Sequence, residues 1–406
     1  MLGKHGPVIL TVCMAQVLAQ IGAYAVPALL PSFIDMWSLD NSEAGWIIAA
    51  FYGGYVLAAP FLVSLTDRIP AKWIYVAAVS MTAGAHLGYA YLADGFWSAL
   101  VFRVLAGIGW AGSYMPGLRT LTDVVTGKPQ SRAVALHAGS LGLSGSASFV
   151  IAGTIAVMFD WRAAFIVSGL AAVGAAVLAL SAMPSNRPAP PKDGKHRRLL
   201  DFRPAFRNRS SLAYSIVYCV HTWEMNALRG WVVTYLAFTA GLHGGTSALI
   251  APAAVATLMG VTGTLTSVAG NEISIRIGRP RLIMLAMAAS MIMAVLLGTL
   301  SGIAYWAAAL GAVVYGVTIW LDSSSLTAGA VGNADPEHKG ATMTVHTFLG
   351  YGGGFVGPFM IGWVLDLAGG QSVLGWTIAF GHVAVVMLVG VTALAILRPK
   401  ALEGDR

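Results

Sequence analysis

Charge is the scarcest property of this sequence: Asp, Glu, Lys and Arg together make up 10% of its 406 residues. A soluble domain carries about 25%, because its surface must face water. Cysteine is rarer still. Cys13 and Cys219 are the whole complement, both inside apolar runs, which excludes a disulfide framework and gives no basis for a zinc site. The 48 glycines follow no G-X-Y period, so the chain is not collagen-like. What the chain does have is 57% hydrophobic residues and a mean hydropathy of +0.73. Such a chain exposes a surface as apolar as its core, and hydrocarbon is the medium that fits it. Soluble multidomain, disordered and nucleic-acid-binding classes are all excluded.

Twelve apolar runs are long enough to cross a hydrocarbon layer about 30 Å thick. They cover approximately 7–30, 44–64, 73–93, 97–119, 131–158, 163–183, 211–236, 247–270, 281–300, 304–327, 341–366 and 373–396. The basic residues test this map independently. With both ends placed in the cytoplasm, twenty of the 24 Lys and Arg fall in inside segments, eight of them in the loop from Arg187 to Arg209. Outside connections hold only Arg162, an imbalance that orients the chain with both termini inside. The run after Lys4 is too long for a signal-peptide core and reads as an uncleaved first span.

The Pro-rich, basic stretch 184–210 divides the chain into six spans and six spans. A shift of about 207 positions lays Pro129 and Arg132 on Pro336 and Lys339, and brings Arg68 within one residue of Arg276. This is the mark of a duplicated unit. Leu65-Thr-Asp67-Arg68-Ile-Pro-Ala-Lys72 is similar to the loop signature G-x-L-A-D-R-x-G-R-K, and Arg276-Ile-Gly278-Arg279 is its partial second copy. Arg103, Gly107 and Gly109 stand in the pattern R-x-x-x-G-x-G, and Asp160-Trp161-Arg162 precedes span 6. On these motifs the chain resembles the major facilitator superfamily of secondary transporters along essentially its full length. The antiporter pattern expected in span 5 lacks its proline (Gly139, Gly142, Gly145, Gly153), whereas a similar one occurs in span 11 around Gly353, Gly357, Pro358 and Gly362. The resemblance implies that spans 1, 4, 7 and 10 line a central cavity.

Charge within a span costs at least ~2.5–3.5 kcal/mol, so each instance calls for a reason. Away from the span ends, Arg103 in span 4, Glu224 and Arg229 in span 7 and Asp322 in span 10 are the four instances, all on helices the resemblance assigns to the cavity. Span 1 adds Gln16, Gln20 and Tyr24 at i, i+4 and i+8, on one helix face. Glu224 and Arg229 are about 140° apart on a helix wheel and cannot easily pair with each other. Glu224 lies near the bilayer midplane. A carboxyl group removed from water is the kind of group that loads and releases protons, so Glu224 is the expected coupling acid. The bland reading is a fixed ion pair with Arg103 or Arg229. Arg229 is a carboxylate's partner or an anchor for an anionic substrate, with nothing to separate the two. Arg103 is assigned to packing or proton relay before direct substrate contact. Asp322, followed by three serines, is placed near the cytoplasmic mouth, as a gate, helix end or sodium ligand, and is counted with Glu224 and His221 as a proton-coupling candidate. His221 either shares the proton path or is a hydrogen-bonded packing residue, the reading given to His86, His137, His346 and His382. The expected substrate contacts are Arg229, Gln16, Gln20, Tyr24 and Asn226, with Arg103 supporting and Glu224 among them, and Trp223 and Trp231 flank the charged face.

Two motif matches are set aside. Gly107, Gly109 and Gly112 fit G-x-G-x-x-G without any strand before them, and close helix packing explains them better. Cys219, His221 and Glu224 form a single turn with no second ligand cluster. At the cytoplasmic side, Asp67, Arg68, Arg119, Asp123, Arg132 and Arg276 are gating candidates, with positive-inside topology accounting for part of that charge.

The expected fold is an all-α membrane protein of twelve transmembrane helices in two pseudo-symmetric six-helix bundles, 1–183 and 211–406, joined by a central loop at 184–210. The expected function is secondary active transport of a small molecule across a bacterial-type inner membrane by alternating access, coupled to protons, with a small anion or anionic metabolite as substrate. Proton-driven efflux of hydrophobic or cationic drugs is the alternative, and a non-transporting receptor or assembly protein is the alternative of another class. No nucleophile–base pair is evident, so no enzymatic role is expected. The expected partners are the substrate, protons and the lipid bilayer; a monomer is expected, without cofactor, metal or nucleic acid.

Overall fold

The structure is a computed structural model that describes residues 5–186, 202–245, 250–335, 338–399 and 402. Most of the expected central loop (187–201), Lys4, Pro336, Lys400, Arg406 and the expected start of span 8 at 247–249 lie outside the described residues.

Every regular element among the described residues is helical, as chain in hydrocarbon requires if its backbone polar groups are to be satisfied internally. In chain order these are α1 (Gly6–Gln20), α2 (Ala25–Trp37), α3 (Asn41–Leu65), α4 (Ala71–Leu92), α5 (Phe96–Val124), α6 (Lys128–Met158) and α7 (Trp161–Ala182). A short α8 (Arg203–Arg207) precedes α9 (Arg209–Leu242), α10 (Pro252–Ile277), α11 (Arg279–Leu300), α12 (Tyr305–Trp320), α13 (Ser323–Gly332), α14 (Lys339–Leu367) and α15 (Val373–Leu397).

Among the described residues, ten helical segments are long and apolar enough to span a membrane, counting α1 with α2 and α12 with α13 as one segment each. At the two remaining expected spans, α4 and α9 supply long helices of lower hydropathy, so the expected count of twelve is matched fully at ten places. The reason is visible in α9: 20 of its 34 residues are buried by neighbouring helices, so it needs little apolar surface of its own. Two of the expected spans are interrupted. The first breaks at Ile21–Tyr24, and the tenth breaks at Leu321–Asp322.

By internal contacts the chain forms two compact units, one of residues 1–29 with 50–199 and one of residues 30–49 with 200–406. The core of the first includes Val12, Ala15, Ala19, Tyr75, Val79 and Leu121. The Asp160-Trp161-Arg162 motif opens α7: Asp160 accepts from the Ala163 N–H at 2.7 Å, and the Arg162 guanidinium lies 4.4 Å from the Trp161 ring centre. In the second unit the span 11 glycines lie against α9. A side chain at Gly353 or Gly357 would meet the backbone carbonyls of Cys219 and Trp223, so these two helices approach backbone to backbone.

Candidate functional site

Helix α9 carries the polar residues of the second unit, and its N-terminus is tied down. Asn208 accepts from the Ser211 N–H at 3.1 Å and donates to the Asn333 carbonyl at 2.7 Å. Ser211 Oγ donates to the Ala330 carbonyl, and Gly329 leaves room for the Tyr214 ring. α9 and α13 therefore run antiparallel in a fixed register. Ten residues along α9 from Ser211 and eight residues back along the partner from Ala330 are about 15 and 12 Å of helix rise. That register sets His221 opposite Asp322.

His221 Nδ1 is 2.9 Å from Asp322 Oδ1, and both side chains are almost wholly buried. The contact is close but poorly aligned, and Asp322 Oδ1 completes no directed hydrogen bond. One turn further along α9, Glu224 is 2% exposed. The hydroxyls of Tyr315 (α12) and Ser290 (α11) face it, and the Asp322 carboxylate acts on it from the helix break. Neither Glu224 Oε1 nor the Tyr315 hydroxyl completes a hydrogen bond. Ser290 is instead bonded to Thr318 at 3.1 Å. Two buried acids, a histidine and a tyrosine thus form one polar cluster inside the second unit.

The structure brings three sequence-read residues, His221, Glu224 and Asp322, into that cluster. The tenth span runs to Gly332 instead of ending near Thr327, so Asp322 lies ten residues from its end. Arg229, half-buried, lies with its guanidinium 4.6 Å from the Trp320 ring centre. Asn226 donates to the Thr222 carbonyl at 2.9 Å and leaves Oδ1 without a partner. Trp231 is not part of a charged face: it is fully buried, bonded to the Pro358 carbonyl at 2.8 Å and edge-on to Trp376. Trp223 donates to His382 at 3.3 Å. His346 stacks on Tyr218 at 4.2 Å, with Ser215 and Thr327 hydroxyls at its ring nitrogens, which is the packing role expected of it.

The first unit holds the remaining candidates. Gln20 donates to Ser113 Oγ at 3.3 Å. Gln16 is fully buried with neither amide atom partnered. The break at Ile21–Tyr24 means that Gln16, Gln20 and Tyr24 do not share one continuous helix face: the Ala23 and Ala25 N–H groups bond three residues back, which tightens the turn. The Tyr24 N–H instead reaches Ser148 at 2.9 Å, and its ring stacks on Phe149. Gly22 allows this turn to lie against His86 and Ser168. Arg103 is buried with its guanidinium 4.4 Å from the Phe51 ring centre, among Tyr24, Tyr52 and Tyr89. The expected spans of the first half contain no Asp or Glu.

Of the gating candidates, Arg119 meets Asp123 at 3.0 Å and Asp67 at 3.4 Å, all of them partly exposed. Arg68, Arg132 and Arg276 are exposed. Two residues the sequence reading missed are bonded more firmly. Arg279, counted as topology charge, is 3% exposed and donates to Asn271 at 3.1 Å and to the Ser325 carbonyl at 3.3 Å. Asp366 accepts from Asn41 and Ser42 at the start of α3. No group of three or more His, Cys, Asp or Glu residues placed to hold a metal ion occurs among the described residues.

A profile of the Major Facilitator Superfamily matches residues 12–358. The niacin transporter NiaP of Acinetobacter baylyi is 23% identical over 145 residues, 36% of this chain and 33% of that protein. The hexuronate transporter of Bacillus subtilis is 32% identical over 167 residues, 39% of this chain and 38% of that protein. The chain thus spans well under two thirds of the curated relatives it matches. Among solved structures, a point mutant of the nucleoside transporter NupG aligns at a TM-score of 0.78 and 14% identity, covering 96% of this chain and 99% of that one.

Proposed function

Because this chain belongs to the Major Facilitator Superfamily, we propose that it is a secondary active transporter of a small molecule, working by alternating access and driven by protons. The observation that carries the proton assignment is Glu224: a carboxyl group withdrawn from water, with one oxygen unpartnered, beside Asp322, Tyr315 and the His221 contact. A group so placed gains a partner whenever a proton arrives, and intramembrane acids of this kind mark ion routes. His221 and Asp322 share the load, since a proton on any of the three changes the charge felt by the others.

A small anion or anionic metabolite is the substrate class we favour. Arg103 and Arg229 are cations held against aromatic rings, and neither has an uncharged state to retreat to. Gln16, Gln20, Tyr24 and Asn226 supply neutral hydrogen-bonding groups. Relatives named for niacin and hexuronate transport are in keeping with a small metabolite. The charge asymmetry of the loops supports an inner-membrane protein with both termini in the cytoplasm, and Asp67, Arg68, Arg119, Asp123, Arg132 and Arg276 are its cytoplasmic gating residues.

Uptake into proteoliposomes under an imposed pH gradient tests this reading. Wild-type protein accumulates a small organic anion uphill and Glu224→Gln does not. Uphill extrusion of a cationic compound, with no response to anions, would instead establish the efflux alternative.

A further inference from the structure

Asp322 occupies the position before the first residue of α13, where aspartate is among the strongest capping residues because its carboxylate accepts from free first-turn N–H groups. Here its side chain makes no such bond. Its backbone sits at φ −100°, ψ −9°, in the helical region and not in the extended setting that capping needs. The carboxylate is turned to His221 of α9 instead, in the close but poorly aligned contact described above.

The far side of this junction is anchored. Ser324 Oγ lies 2.6 Å from Ser267 Oγ of α10, Arg279 donates to the Ser325 carbonyl, and Ser211 of α9 donates to the Ala330 carbonyl. The Leu321 carbonyl lies against Gly270, where any side chain would collide with it. With Leu321 packed on α10 and α13 tied to its neighbours, Asp322 is the pivot of this junction.

We propose that Asp322 is the moving part of a proton-sensitive hinge in this broken helix, held by His221 in one position and capping α13 in the other. Capping requires ψ of Asp322 to turn from helical to extended, and that rotation re-aims α12 against α13. A doubly protonated His221 holds the carboxylate most strongly. Loss of one proton weakens the hold and frees Asp322 for the Ser324 and Ser325 N–H groups. The titratable groups around this pair are Tyr218 and Glu224 from α9 and His346 from α14; Tyr315 of α12 faces Glu224, Arg279 of α11 donates to the Ser325 carbonyl, and α10 brings Ser267 and Asn271, neither titratable. A proton on Glu224 removes a like charge beside Asp322 and so acts on the same hinge. This goes beyond the coupling assignment, because it names the element that the proton would move.

Hydrogen exchange of the full chain in lipid nanodiscs, followed in peptides covering 321–332 across the range where histidine titrates, tests it. In wild type, after correction for intrinsic rates, exchange at Ser323–Ser325 slows as pH rises. In His221→Phe it is slow at every pH, about fivefold below wild type at the acid end. Asp322→Ser keeps a capping oxygen but offers His221 no carboxylate, so it too exchanges slowly and without pH response. A flat wild-type profile, or either variant following the wild-type profile, overturns the hinge. If His221→Phe fails to fold, Asp322→Ser alone decides. Since exchange reads no transport, this proposal and the coupling role of Glu224 fail separately.

Discussion

Asp366, on the last turn of α14, closes the N-terminus of α3 through Ser42: its carboxylate accepts the Ser42 N–H at 2.7 Å and the Ser42 hydroxyl at 2.5 Å. The same carboxylate accepts the Asn41 N–H at 3.1 Å and the Asn41 side-chain amide at 2.7 Å. A helix start exposes N–H groups and positive dipole, and here the anion that answers both comes from a distant stretch of chain. Asp366→Ala is expected to lower stability by about 0.5–2 kcal/mol, the range for loss of a capping carboxylate. Thermal unfolding in detergent reads it, and an unchanged midpoint would show that the contact contributes nothing.

The approach of α9 to α14 makes a sharper prediction. Gly357→Ala places a methyl group against the Trp223 carbonyl, a backbone atom that cannot step aside, and is expected to cost about 1–3 kcal/mol. Gly352→Ala, on the same helix with open space around it, is expected to be neutral or to stabilise by up to about 1 kcal/mol, because alanine is the better helix former. Thermal unfolding of the two variants side by side checks the pair.

His221 and Asp322 should prove coupled in stability as well as in position. Removing Asp322 leaves His221 buried without its partner, at about 1–3 kcal/mol, whereas removing His221 costs less because the Asp322 carboxylate can turn to cap α13. The double variant His221→Ala with Asp322→Ala should then cost clearly less than the two single losses combined, a difference that a double-mutant cycle in chemical unfolding measures. Additive losses would mean that the two groups do not interact.

Exposed ion pairs are a different case. Arg119→Ala removes contacts to Asp67 and Asp123 that are open to solvent, and is expected to change stability by less than about 1 kcal/mol, with any effect fading in high salt. Unfolding at low and high ionic strength is the check.

The membrane class, the spans and the motif resemblance are legible in the sequence because they rest on composition and on charge placed between apolar runs. Glu224 is legible for the same reason, since an acid inside an apolar helix is conspicuous in one dimension. Its neighbours Ser290 and Tyr315 are not: hydroxyl-bearing residues are common in such helices, and only packing reveals which of them face an acid. The sequence ends the tenth span too early and hides its break, because no proline or glycine marks the junction at Asp322 and the small residues from Ser323 to Gly332 carry little hydropathy signal. Arg279 reads as part of a loop signature and Asp366 carries no motif, yet tertiary contacts bond both of them. The continuous face of Gln16, Gln20 and Tyr24 assumes a regular helix, which the tightened turn at Gly22 interrupts.

The account turns on Glu224 as the group that carries the coupling proton, and the most direct measurement compares two transport modes in one set of vesicles. Glu224→Gln proteoliposomes are assayed for substrate counterflow without a gradient and for uphill accumulation under an imposed pH gradient. The prediction is that counterflow persists while accumulation is lost. Accumulation at the wild-type level by Glu224→Gln would contradict it.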